Sequence, residues 1–70
     1  MILGKEVRFR VPINDFNLDK FNLPCICRGR INGAVVDGRV PIWLEREATN
    51  VYVPFKNICW FGKHRLRTND

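Results

Sequence analysis

The chain has no serine and a single histidine, His64, so a Ser-His-acid triad cannot be built and only one base is available to a nucleophilic cysteine. The nearest thiol is Cys59, across Gly62 from that histidine, and the preferred reading is a buried Cys59 acting as a small hydrophobe. Acidic side chains are the minority, 7 against 12 basic ones. The pairs Asp15 with Asp19 and Glu45 with Glu47 fall in polar connections, where solvated surface charge is the ordinary role of a carboxylate. No glycine-rich phosphate loop occurs. No apolar run approaches the roughly 18 residues of a membrane span, and Met1-Ile2-Leu3-Gly4 is too short for a signal-peptide core, so a cytoplasmic protein is expected. Three cysteines cannot all pair within one chain, and a reducing compartment would keep them free, so no disulfide framework is expected. Together these absences point to a non-enzymatic protein without a cofactor, whose function is binding.

What is present bounds the architecture. Seventy residues support one domain, expected over residues 1–62, with 63–70 as a basic tail or an extra edge strand. A chain of this size hides only about 60% of its unfolded surface. At 46% hydrophobic, with five Phe, two Trp and one Tyr, it has material for one small core and is not compositionally disordered. Limited burial leaves self-association open as a further source of stability.

Val7, Phe9 and Val11 alternate with Arg8 and Arg10, the period of a half-buried strand, over residues 5–13. Asn14-Asp15 precedes Phe16, Leu18, Phe21 and Leu23, a spacing that suits a capped helical turn or a loop folded back on the core. A second strand is expected over Cys25–Ile31. Asn32-Gly33 follows it as the strongest hairpin signal in the chain. The return strand from Ala34 to Val36 meets another turn signal at Asp37-Gly38 before the run Arg39–Leu44, so it is either broken there or bulged. After the polar stretch Glu45–Asn50, two short strands are expected at Val51–Pro54 and Ile58–Phe61, separated by Phe55-Lys56-Asn57. Short strands joined by turns and one helical segment read as an all-β fold, a small five-stranded barrel.

The block Val51-Tyr-Val-Pro-Phe-Lys-Asn-Ile58 resembles the fourth-strand, turn, fifth-strand element of SH3-like barrels. Asn32-Gly-Ala-Val-Val-Asp-Gly38 is similar to the Asn-Gly hairpin and following Gly of Sm-like proteins of the Hfq type, and together the similar stretches span roughly residues 25–61. The resemblance implies the barrel architecture. A ring assembly and an RNA site are not carried over, because the Phe-Asp pair after the second Gly is missing, the intervening segment is shorter and an additional strand precedes the helical turn.

Cys25 and Cys27 on one strand face, with Cys59 and His64, supply four zinc ligands in principle. The single residue between Cys25 and Cys27 is shorter than the two to four that ligand pairs usually enclose, so two core-facing thiols and no metal are expected. The basic residues carry more. Arg8 and Arg10, Arg28 and Arg30, and Lys63, Arg65 and Arg67 each repeat at intervals of two, which within a strand places them on one face. If these three segments are neighbours, the rows merge into a patch able to follow a phosphate backbone. They are equally consistent with the solvent sides of half-buried strands, their stems covering apolar surface.

Trp43, Tyr52 and Trp60 are candidates for stacking on bases, with Trp60 favoured for its place beside the basic C-terminal segment. Trp43, between Ile42 and Leu44, is expected either fully buried or exposed on a sticky edge. The net charge of +5 favours a nucleic acid, RNA or DNA, as partner. The alternative is an acidic protein surface, met by a small inhibitor or adaptor through exposed apolar anchors at Trp43 or Phe55. Such a chain would be unsurprising as a virus-encoded factor directed at a host.

Overall fold

Strand alternation places Val7 and Phe9 inward and Glu6, Arg8 and Arg10 outward along β1 (Glu6–Arg10). β1 is the middle of the fold, paired antiparallel on one side with β2 (Ile26–Ile31) and on the other with β5 (Ile58–Phe61). β3 (Arg39–Leu44) and β4 (Thr49–Pro54) extend the sheet beyond β2, and a two-residue β6 (His64–Arg65) extends it beyond β5. This computed structural model describes residues 3–65, with Phe16, Asn17, His64 and Arg65 described by backbone alone. The hydrogen-bonded order is β4-β3-β2-β1-β5-β6, one mainly β, antiparallel sheet. A five-stranded barrel, partly open or closed, was expected; the ladder carries a short sixth strand and, among the described residues, does not return from β5 or β6 to β4.

The inward residues form one cluster: Val7, Phe9, Cys27, Ile31, Val40, Ile42, Leu44, Val51, Val53 and Ile58, capped by Leu18 of α1 (Phe16–Asp19). The amides of Leu18 and Asp19 both donate to the Asp15 carbonyl, at 3.1 and 2.8 Å, which closes the helical turn where the sequence places it. Phe21 and Leu23 lean against the same core. Gly29 makes the close approach of β2 to β3 possible. A Cβ there would stand 2.3 Å from Ile42 Cγ2 and 2.8 Å from the Trp43 carbonyl oxygen, so the inner face admits no side chain at this point.

The turn between β2 and β3 differs from expectation. Asn32-Gly33 is not the hairpin. The chain reverses at Asp37-Gly38, with φ of 52° and 72°, the two positive values a type I′ turn requires. Val36 and Arg39 exchange both backbone hydrogen bonds across it, at 3.0 and 2.9 Å. Asn32 is instead held on the ladder, its amide donating to the Pro41 carbonyl at 2.9 Å and its side-chain Nδ2 to Asn50 Oδ1 at 2.8 Å. The expected return strand from Ala34 to Val36 reduces to the isolated bridge between Val36 and Arg39. The bulge lies elsewhere, in β5, where Arg8 faces Trp60 and Phe9 faces Ile58, leaving Cys59 as the extra residue.

Phe55–Asn57 forms a 3-10 turn that joins β4 to β5. Asn57 Nδ2 donates to the Arg10 carbonyl at 2.9 Å, fastening that turn to the end of β1. Among the described residues no helix is long and apolar enough to cross a membrane.

Candidate nucleic-acid interface

In an antiparallel ladder, directly opposed residues present their side chains to the same face. The register opposes Arg8 to Arg28 on one side and to Trp60 on the other, and Trp60 to Arg65. A single row therefore runs Arg28, Arg8, Trp60 and the Arg65 backbone position across four strands. Arg10 stands opposite Ile26, and Arg30 opposite both Glu6 and Trp43. Arg8, Arg10, Arg28 and Arg30 are all exposed. The first and second strands are neighbours, whereas β5 stands between β1 and the start of the C-terminal segment, so the third basic row joins the other two only through Trp60 of β5.

Two contacts order this face. The Arg8 guanidinium carbon lies 5.6 Å from the centroid of the half-buried Trp60 ring, a cation–π distance. Arg30 Nη1 donates to the Gly4 carbonyl at 3.2 Å. Opposed like charges destabilise a sheet, and Arg8 against Arg28 is such a pair. The pair concentrates positive charge on an exposed face, with the half-buried indole of Trp60 supplying a flat apolar element within the same row.

Lys63 follows β5 in the turn at Gly62 and is exposed, beside Arg30 in an open depression that also takes in Gly4, Lys5 and Glu6. Of the expected basic residues, Arg67 lies outside the described residues, and Arg65 is placed by its backbone only. Lys5 was not singled out in the sequence. The strand period sends it to the inner side with Val7, but at the open end of β1 its ammonium reaches the Phe61 ring, 5.9 Å from the centroid. The signal available was its position at the margin of the strand, where alternation no longer dictates burial.

Of the apolar candidates, Trp43 shares the outer face of the sheet with Arg30, which it directly opposes. Trp43 is 36% exposed, projecting outward between the buried Ile42 and Leu44, and Phe55 is 50% exposed on its 3-10 turn. Tyr52 is exposed as well.

The cysteines do not behave as a pair of core-facing thiols. Cys27 is buried, Cys25 is exposed and Cys59 is half-buried. Cys25 precedes β2 and uses its carbonyl to accept from Val11 at 2.9 Å, so the strand alternation that buries Cys27 does not extend to it. Burial pushes the Cys27 thiol above its ordinary pKa of 9.0, with the charge of Glu47 adding to the rise and a backbone hydrogen bond with Arg28 opposing it. Among the described residues no three His, Cys, Asp or Glu side chains are grouped closely enough to hold a metal ion.

No protein-family model, no curated protein and no solved structure matches this chain.

Proposed function

We propose that this chain is a non-enzymatic nucleic-acid-binding module whose exposed sheet face holds phosphates, largely without regard to base sequence. The observation that carries the reading is the register: Arg28, Arg8 and Trp60 occupy one row, with Arg10 and Arg30 beside it. Guanidinium groups bind phosphate oxygens in pairs of parallel hydrogen bonds, and an indole accepts any base on its face. The reading also takes the sheet as a partly open barrel of the SH3-like or Sm-like kind. It is supported by the 3-10 turn that carries β4 directly into β5, and by the single core that the inner residues of β1, β3, β4 and β5 share. The three free cysteines fit a reducing, cytoplasmic setting.

The test is binding of a labelled single strand and of a duplex across a salt series. Four phosphates neutralised by the four arginines give a log-log slope of about −3 on a single strand and −3.6 on a duplex. No binding at low salt, or unchanged affinity after reversing Arg28 and Arg30 to Glu, overturns the reading.

A second reading rests on a different observation, the exposure of Trp43 and Phe55. It makes the chain a small adaptor or inhibitor that seats these two rings on an acidic protein while the arginines meet its charge. Trp43→Ala and Phe55→Ala then abolish capture of an acidic partner and leave nucleic-acid affinity intact. Loss of nucleic-acid affinity in these two variants overturns that division of the surface.

A further inference from the structure

Beside the arginine row the surface falls into an open depression of about 440 Å³ lined by Gly4, Lys5, Glu6, Arg30, Gly62 and Lys63. Three cations face one carboxylate there, leaving two positive charges in excess. Two of the three cations are held in place. Arg30 is tied to the Gly4 carbonyl at 3.2 Å, a contact that occupies one of its five N–H donors and leaves the others for a ligand. The Lys5 ammonium rests against the Phe61 ring and passes over Gly62, where a Cβ would lie 2.5 Å from Lys5 Cε. Gly62 has a φ of 62° and donates its amide to the Glu6 carbonyl at 2.8 Å. The tight turn it makes brings Lys63 to the same rim.

An internal phosphodiester carries one negative charge, whereas a phosphate monoester carries about −1.5 to −2 at pH 7, its second pKa being near 6. The excess in the depression matches the monoester. We propose that the Lys5–Arg30–Lys63 depression is a seat for the terminal phosphate of a nucleic-acid strand whose following phosphates run along the Arg8 and Arg28 row. The inference rests on the nucleic-acid reading above and adds a preferred strand end to it. Glu6 lines the seat and opposes the ligand, so it limits both the affinity and the preference for the more highly charged group.

The test compares an oligothymidylate single strand bearing a 5′-phosphate, a 3′-phosphate or no terminal phosphate, at pH 7.5 and at pH 5. One phosphorylated end binds roughly fivefold to tenfold tighter than the unphosphorylated strand at pH 7.5. The preference shrinks at pH 5, where the monoester loses its second charge. Lys5→Gln with Lys63→Gln removes the preference and leaves most of the affinity for the unphosphorylated strand. Glu6→Gln, a change at an exposed side chain, enlarges the preference and keeps the proposal testable if the double variant melts early.

Equal binding of all three strands overturns the seat and leaves the nucleic-acid reading standing. In parallel, inorganic phosphate is titrated while the amide signals of Gly4, Gly62 and Lys63 are followed by NMR. If no strand binds but phosphate shifts those signals, the seat stands as an anion site and the nucleic-acid reading falls; if neither occurs, both fall.

Discussion

Arg8 and Arg28 stand directly opposite each other across the β1–β2 ladder, both exposed, with Arg8 also lying over the ring of Trp60. Two like charges in this position weaken the sheet. Relief of that repulsion and loss of anion binding should therefore travel together when one of the pair is reversed. Arg28→Glu is expected to raise stability by roughly 0.2–1 kcal/mol, or up to a few degrees in melting temperature for a domain of this size. The same change should lower nucleic-acid affinity at least tenfold at low salt. A thermal melt and a binding titration on one preparation check both, and unchanged binding would remove this row from the interface.

Trp60→Ala separates stacking from charge. On a single strand the loss is expected to be about 1–3 kcal/mol per stacked base, with a much smaller loss on a duplex, whose bases are not available to the ring. Equal losses on both substrates would show that Trp60 acts only by holding Arg8. Fluorescence anisotropy on matched single-stranded and duplex oligonucleotides makes the comparison.

Gly29→Ala tests the close approach of β2 to β3. Its Cβ would meet Ile42 Cγ2 and the Trp43 carbonyl, so the strands must part or the core must shift, at a cost of about 1–3 kcal/mol. A lowered urea midpoint is the expected result. A midpoint equal to that of the parent protein would mean that the two strands are not held as tightly as their geometry implies.

The cysteines should differ in reactivity and in their effect at high pH. Exposed Cys25 is expected to react with a thiol reagent well before buried Cys27, whose thiolate is disfavoured by burial and by Glu47. Because the Cys27 pKa is raised in the folded state, the unfolded chain releases this proton first as pH rises. The folded state then binds more protons than the unfolded one, and stability falls with increasing pH. The contribution is fully present below pH 9.0, the ordinary thiol value, and is lost above it. Cys27→Val should flatten that alkaline decline in urea midpoints measured with reductant between pH 8 and 10, and an identical decline in both proteins would assign it to other groups.

Much of the local structure is legible in the chain. Val7-Arg8-Phe9-Arg10 alternates so regularly that only one face can be buried, and the structure buries Val7 and Phe9. Val51-Tyr52-Val53 behaves in the same way, with Tyr52 outward. Asp15 before Phe16 marks the start of the helical turn, and Gly62 ends β5 with the positive φ that a turn requires. These features depend on neighbours one to four residues apart, which the sequence contains.

The site depended on neighbours far apart in the chain. Arg8 meets Arg28 and Trp60 only because β1 lies between β2 and β5, a pairing across 20 and 52 positions that no local period encodes. The same distance dependence decided the turn: Asn32-Gly33 has the better local chemistry, but Pro41 and Asn50 hold Asn32 on the ladder, and the reversal passes to Asp37-Gly38. Trp43 faces outward because Ile42 and Leu44 on either side of it fill the inner face beside Gly29. The sequence by itself determined which residues must share a strand face, since the backbone period is fixed by sterics. Only the tertiary structure decided which faces meet, because strand order and register follow from burying one common core.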